Sequence, residues 1–368
     1  MKILLLAGEE SGVVYADRIR QEVLKRHPEA VVRGYGDFGF RVEDLAVMGL
    51  GQVLKRIFYF LGVRRTMQRA IDEWRPDVVC TVDYPGLNLR LAAYAKARGI
   101  QTVHVVCPQV WAWKKGRIPK IEAALDRLCC FFPFEPALFR SGLAVFVGHP
   151  LVDEMAEKGP GVGDRESGGR TLAILPGSRL GEIEKHMPVL LRAVESLQHE
   201  IPNLQVVIPA ANDRAYDAIR TWLSTARTSH SNVRLIRGGA REVLRRADAA
   251  VVASGTATLE AAIANCPTVL VYRVGWLFAA LARILIKGVR HVGLANIIAE
   301  KSGAPCPMPE LLQEDFTVEN VLGRIRPLLT DESANADMRR ALSETMRLLG
   351  SDGGAIARIV DCLRPCRS

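Results

Sequence analysis

The chain has 368 residues, 49% of them hydrophobic, enough for two cores of ordinary size and more than one domain usually needs. Its formal net charge of +9, from 49 basic and 40 acidic residues, is a moderate excess. It excludes a polycation built for nucleic acid and leaves acidic small molecules and anionic membrane surfaces as partners.

The chain opens on Met1-Lys2-Ile3-Leu4-Leu5-Leu6-Ala7-Gly8. The apolar run is too short for a secretory signal and is closed by Glu9 and Glu10, so it reads as a first buried strand. Strands are predicted at 2–6, 31–34, 77–82, 101–106, 127–132 and 144–147, then at 171–175, 205–208, 233–236, 249–253 and 268–271. Amphipathic helical segments fill the gaps, notably 87–98. This alternation implies parallel sheets in α/β layers. Residues 157–169 are polar, Gly-rich and aperiodic, as a linker is. Two Rossmann-like domains facing across a cleft are therefore expected, at 1–160 and 170–345. A C-terminal helical segment, 346–368, packs back on the first domain or on a partner subunit, the latter giving a homodimer. The sequence leaves both open.

Cys80, Cys107, Cys129, Cys130, Cys266, Cys306, Cys362 and Cys366 are scattered with no C-x-x-C pair. Buried free thiols in a reducing compartment fit better than a disulfide framework or a zinc site. No apolar stretch approaches the roughly 18–20 residues that span a bilayer.

Several segments carry chemistry. Gly34-Tyr35-Gly36-Asp37-Phe38-Gly39 matches G-x-G-x-x-G, but its strand is short and Lys55 and Arg56 stand where a dinucleotide site needs an acid, so it reads as a Gly-rich turn. Asp83 follows a strand and is either an N-cap of the next helix or a general base for a hydroxyl nucleophile. Cys107-Pro108-Gln109-Val110-Trp111-Ala112-Trp113-Lys114-Lys115 is either a packed hinge or a surface for a sugar or lipid phosphate. In the second reading the tryptophans supply apolar faces and the lysines charge. His149, before Pro150, is a lone histidine at the domain crossover.

Leu175-Pro176-Gly177-Ser178-Arg179-Leu180-Gly181-Glu182 and Ala253-Ser254-Gly255-Thr256-Ala257-Thr258-Leu259-Glu260 each end a strand and open a helix. Both are expected to leave backbone N–H groups unpaired for phosphate, with Arg179 adding charge and Glu260 accepting from sugar hydroxyls. Residues 53–71 and 276–291 cluster aromatic and aliphatic side chains with basic ones only, which suits either buried helices or interfacial membrane helices.

Together these segments resemble one family. The matches are Ala7-Gly8-Glu9 with Ser11-Gly12, Leu45-Ala46-Val47-Met48-Gly49, Asp83 with Pro85 and Asn88, the Trp-Ala-Trp loop, Phe132-Pro133-Phe134-Glu135, Gly148-His149-Pro150, the two Gly loops, Asn296, and Glu310-Leu311-Leu312-Gln313. The series is similar to lipid-A-disaccharide synthase, a GT-B glycosyltransferase family. The resemblance implies inverting transfer of 2,3-diacylglucosamine from its UDP donor to the 6-hydroxyl of 2,3-diacylglucosamine 1-phosphate, without metal or cofactor. It implies Asp83 as base, and Gly177, Ser178, Arg179, Ser254, Gly255, Thr256, Glu260, Asn296 and Gln313 at the nucleotide or donor. Glu9, Ser11, Gly12, Asn88, Trp111, Trp113, Lys114 and His149 are expected on the acceptor side or in the cleft. A cytoplasmic protein peripheral on the inner face of the inner membrane is implied, with no nucleic-acid partner. The chain departs from the family pattern at Val13, usually Asp, and at Ala295, usually Pro. Two other readings stand beside this one. Another nucleotide-sugar enzyme, such as a UDP-N-acetylglucosamine 2-epimerase or a different glycosyltransferase, is opposed by the Trp-Ala-Trp loop and the basic amphipathic stretches. A non-catalytic lipid- or nucleotide-binding paralogue has Val13 in its favour and Asp83 and Arg179 against it.

Overall fold

The computed structural model describes residues 1–40, 53–157, 169–225, 232–275, 290–350 and 353–364, the side chains of 10–11, 53–58 and 156–157 excepted. The chain divides into two compact units, Met1–Asp153 with Asp352–Ser368, and Glu154–Ser351.

The first unit holds one parallel sheet, in which β1 (Lys2–Ala7), β2 (Val31–Arg33), β3 (Val78–Val82), β4 (Gln101–Val105), β5 (Arg127–Cys130) and β6 (Ala144–Phe146) lie in the order β2-β1-β3-β4-β5-β6. Side chains alternate across a strand, so each face of β1 serves a different layer. Ile3, Leu5 and Ala7 join the cluster made with Ala16, Ile19 and Val23 of α1 (Glu10–Arg26). Leu4 and Leu6 join Val63, Met67 and Ile71 of α2 (Val53–Trp74) and Leu87 and Leu91 of α3 (Pro85–Lys96). α4 (Ile118–Ala124) and α5 (Pro150–Glu157) follow.

The second unit repeats the plan. β7 (Thr171–Leu175), β8 (Gln205–Ala210), β9 (Val233–Arg237), β10 (Ala249–Ala253), β11 (Thr268–Tyr272) and β12 (Glu310–Leu312) form a parallel sheet ordered β12-β11-β10-β7-β8-β9. Leu172, Ile174 and Val251 pack on α6 (Leu180–Glu200), α7 (Asp213–Thr225) and α11 (Val318–Thr330). On the other face, Ala173, Leu175, Ala250 and Val252 pack with residues of α8 (Ala240–Arg246), α9 (Thr256–Ile263), α10 (Leu294–Lys301) and α12 (Glu332–Arg347).

In both sheets the strand order reverses beside the first strand, between β1 and β3 and between β7 and β10. Ligands of open parallel sheets bind outside the carboxyl ends of the strands at such reversals. The loops after β1 and β3, and those after β7 and β10, are the ones the sequence marks.

The C-terminal helix α13 (Ala355–Cys362) lies on the first unit. Ile356, Ile359 and Val360 enter the β1–α1 cluster, and Asp153 Oδ2 accepts from Ala355 N at 2.8 Å at the helix start. The unit boundaries fall a few residues from the expected ones because α5 spans the crossover. Arg241 and Arg245 bind Glu154 and the Met155 carbonyl, which places that end of α5 in the second unit. Residues 34–39 are a turn in which Gly34 N donates to Asp37 Oδ2 at 2.7 Å. The stretch 53–71 is divided: Val63, Met67, Ala70 and Ile71 are core, while Leu61 is exposed. Residues 276–289 of the other basic stretch lie outside the described residues.

Candidate active site

In the first unit the loops after β1 and β3 interlock. A Cβ on Gly8 would meet the Tyr84 ring at 2.5 Å, and one on Gly12 would touch the Val82 carbonyl at 3.4 Å, so glycine lets the chains close up. Asp83 and Tyr84 are consecutive left-handed residues, at φ +51° and +49°. Two non-glycine residues in that region are strained, and such strain persists only where the surroundings over-determine it. Asn88 does so. Its Nδ2 lies 3.3 Å from the Leu6 carbonyl, 3.2 Å from that of Val82 and 2.8 Å from that of Asp83, while Oδ1 accepts from Tyr35 OH at 2.8 Å. It is fully buried, so the expected acceptor-side residue is instead a clamp on the ends of β1 and β3.

The clamp leaves the Asp83 carboxylate in a half-buried place where Oδ1 accepts from Tyr84 N at 2.8 Å. Burial raises its pKa above the ordinary carboxylate value, against the Tyr84 bond. Glu9 is raised as well, by burial and then by the charge of Asp83. Gly12 is buried beneath them, and the Ser11 side chain lies outside the described positions.

The Trp-Ala-Trp loop follows β4 and a left-handed Val106 at φ +75°. Its two tryptophans part company. Trp111 is buried, its Nε1 donating to Glu135 Oε1 at 3.0 Å and its ring edge-on to Phe134 with centroids 5.6 Å apart. Trp113 is 40% exposed and carries Lys114 Nζ 4.2 Å from its ring centroid. The expectation that both offer faces to a substrate is corrected for Trp111, which anchors the loop. Glu135 Oε2 accepts from Phe132 N at 3.1 Å, and burial pushes the carboxyl up to about 7 despite both bonds. Cys107 and Cys130 lie beside it, the three donors within 4.8 Å of one another. The Cys107 thiol is held protonated by its hydrogen bond with Cys130 and by burial, and both Glu135 oxygens are engaged, so this group fits an internal anchor better than a metal. His149 is also buried; Nδ1 accepts from Leu151 N at 3.1 Å, capping α5, and burial lowers the ring to about 3.

In the second unit the first Gly loop differs from expectation. Gly177 has φ +117°, and Glu182 folds back on the loop. Glu182 Oε2 accepts from Ser178 N at 3.2 Å and Arg179 N at 3.4 Å, and Oε1 accepts from Arg179 Nη1 at 3.1 Å. Two of the N–H groups expected to be open to phosphate, those of Ser178 and Arg179, are thus taken by an internal carboxylate, three residues after the N-cap. Ser178 and the Arg179 side chain remain exposed.

The second loop is arranged otherwise. Gly255 at φ +147° leads into α9, and Thr258 Oγ1 donates back to its carbonyl at 2.8 Å. Ser254 Oγ donates to the Val292 carbonyl at 3.3 Å, and Thr256 is exposed. Among the described residues the N–H groups of Gly255, Thr256 and Ala257 have no acceptor. Glu260 lies on the same helix, paired with Arg241. Asn296 is fully buried: Nδ2 donates to the Met308 carbonyl at 2.7 Å and Glu310 Oε1 at 2.8 Å, and Oδ1 accepts from Met308 N at 3.0 Å. It therefore positions the loop rather than facing a ligand. Gln313, left-handed at φ +51°, accepts Arg273 Nε at 3.1 Å on its carbonyl. Glu135, Glu182, His186, Arg273 and Glu310 were given no role by the sequence reading; for Glu182 the capping-box spacing after Arg179 was a usable signal.

A family model described as lipid-A-disaccharide synthetase matches residues 3–353. The chain belongs to the lipid-A-disaccharide synthase family. Relatives of that name agree: one from Anaeromyxobacter sp. (strain K) is 38% identical, with 96% of this chain and 95% of the relative covered. Another from Myxococcus xanthus is 36% identical over 96% and 94%. As a lipid-A-disaccharide synthase family member the chain is a glycosyltransferase of lipid A biosynthesis. Among solved structures it is similar to a glycosyltransferase of kitacinnamycin, with TM-score 0.66, 14% identity and 100% and 98% of the two chains covered. It is also similar to a putative UDP-N-acetylglucosamine 2-epimerase from Listeria monocytogenes, with TM-score 0.65, 15% identity and 97% and 94% covered. At these identities the likeness is one of fold, the two-sheet GT-B architecture. Of the two departures from the family pattern, Val13 packs at the edge of the β1–α1 cluster, and Ala295 sits in the first turn of α10, where proline loses no helical hydrogen bond.

Proposed function

We propose that the enzyme transfers 2,3-diacylglucosamine from UDP to the 6-hydroxyl of 2,3-diacylglucosamine 1-phosphate, with inversion and without a metal. The acceptor oxygen attacks the anomeric carbon from the face opposite the nucleotide. Its proton passes to Asp83, the bond from carbon to the diphosphate oxygen breaks, and UDP leaves with the electron pair. The observation that carries this reading is the clamped, left-handed Asp83, whose carboxylate is held at a strand reversal with its basicity raised by burial.

The second unit supplies the nucleotide side. The open N–H groups at the start of α9 and the exposed Arg179 take the diphosphate, in the place a metal has in other transferases. Glu182 makes the first loop a rigid mount for Arg179 rather than a second phosphate cradle. Trp113 and Lys114 meet the acceptor, its acyl-sugar and its phosphate respectively. The protein works in the cytoplasm against the inner face of the inner membrane, touching anionic lipid through exposed Leu61, Arg65 and Arg69 of α2. Among the described residues no helix is long and apolar enough to cross a membrane.

The test is UDP release from the purified enzyme with both acyl-sugars, in EDTA, with the anomeric configuration of the product read by NMR. Release that needs both sugars and persists in EDTA, with an inverted linkage, is expected. Interconversion of UDP-N-acetylhexosamines without UDP release would point to an epimerase, and no turnover to a binding paralogue.

A further inference from the structure

Glu260 is not alone on its helix face. Its Oε1 accepts from Arg241 Nε at 2.8 Å, and the same guanidinium donates through Nη1 to Glu154 Oε2 at 2.5 Å. All three residues belong to the second unit. The carboxylates are largely covered, with side-chain exposures of 16% for Glu260 and 15% for Glu154, while Arg241 is 36% exposed. Arg241 stands in the first turn of α8, behind a left-handed Gly239 at φ +72°, and its Nε and Nη1 edges are used on two different acids. A planar fork held at both edges has little freedom left, so it fixes whatever it binds. Among the described residues Glu260 Oε2 has no donor.

We propose that Arg241 is a positioning residue for nucleoside recognition: it pins Glu260 by one oxygen and so aims the other at a vicinal diol, the ribose of a nucleoside diphosphate. A free glutamate in the second turn of α9 would sample several rotamers and share its acceptors with water. Pinned by Arg241, it presents one acceptor oxygen in one direction. Glu154 is the second anchor, holding the guanidinium when Glu260 is engaged with a ligand. Arg241 makes no contact with the ligand in this arrangement; its effect passes through Glu260.

The proposal rests on Glu260 facing the ribose, and the experiment separates the two. UDP and 2′-deoxy-UDP are titrated calorimetrically into wild type, Glu260→Gln, Arg241→Met and Arg241→Lys, with melting temperatures taken alongside. Wild type should prefer UDP. Arg241→Met should weaken UDP binding about tenfold, the scale of one hydrogen bond to a charged group, with little change for 2′-deoxy-UDP, so the preference collapses. Arg241→Lys, which keeps a charge but cannot span both acids, should fall between and serves where the Met variant does not fold. If Glu260→Gln keeps the wild-type preference, Glu260 does not read the ribose and the underlying reading fails. If Glu260→Gln loses the preference while both folded Arg241 variants keep it, the positioning role is overturned. Equal weakening of both nucleotides in Arg241→Met would also overturn it, since that marks a general loss of the site.

Discussion

His186 Nε2 accepts the backbone N–H of Arg273 at 3.0 Å, joining segments 87 residues apart. A backbone N–H only donates, so the ring proton is on Nδ1, which gives it to the Pro176 carbonyl at 2.7 Å. One buried ring thus braces the first Gly loop against Arg273, whose guanidinium in turn holds the carbonyls of Gln313 and Phe316. His186→Gln retains a donor and an acceptor and should bind UDP much as wild type does. His186→Phe orphans both backbone groups and should weaken UDP binding about tenfold or more. Burial lowers the pKa of His186, so its neutral form stabilises the fold above the unfolded value of about 6.5, and that contribution is lost as pH falls toward the folded value. Urea melts between about pH 7 and pH 5 should show a shallower acid loss in His186→Gln than in wild type.

Glu135 has the opposite sign. Its carboxyl is raised from 4.5 to about 7, so the fold binds the proton more tightly than the unfolded chain. Its contribution is fully present below the unfolded value and is lost as pH rises through about 7. Glu135→Gln keeps an acceptor for Trp111 without the buried charge. Its stability relative to wild type should therefore rise between pH 5 and pH 8, by on the order of 3 kcal/mol at most. A constant difference across that range in paired urea melts would show that Glu135 does not titrate this way.

The basic amphipathic stretch of α2 divides into two experiments. Leu61→Ser, at an exposed position, should reduce sedimentation with anionic vesicles and leave the melting temperature nearly unchanged. Val63→Ser, in the core, should destabilise by on the order of 3 kcal/mol through a cavity and a buried hydroxyl. Vesicle binding should fall with salt, as screened attraction does. Unchanged sedimentation of Leu61→Ser at low salt would remove this surface from membrane contact.

The alternation of apolar runs and Gly loops made both sheets legible, because a strand buried on two faces is written in the sequence as a continuous apolar run. β12 was missed as a strand since only three residues, Glu310–Leu312, pair with β11, and the first of them is charged. The strand-end placement of Asp83 and of the second Gly loop was legible, because each follows an apolar run that ends at β3 or β10. Asn88 could not be read as a clamp, because its partners Leu6 and Tyr35 come from segments distant in sequence. Nor could the split between Trp111 and Trp113, which depends on where Glu135 lies. His186 stood on the apolar face of its helix beside Ile183, Met187 and Leu190, and a lone histidine there looks like core until its two ring partners are seen.

Single-turnover kinetics of Asp83→Asn test the account most directly. Asparagine tolerates the left-handed backbone, and its side-chain oxygen can still accept from Tyr84 N, so the loop should keep its shape. The rate of UDP release should fall by roughly 10²–10⁴-fold, the scale of a positioned base, with UDP affinity unchanged and the melting temperature no lower than that of wild type. In wild type the rate should fall as pH drops, and at a higher pH than an ordinary aspartate gives, since burial raises this carboxyl. A folded Asp83→Asn enzyme that releases UDP at close to the wild-type rate would contradict the assignment of Asp83 as the base.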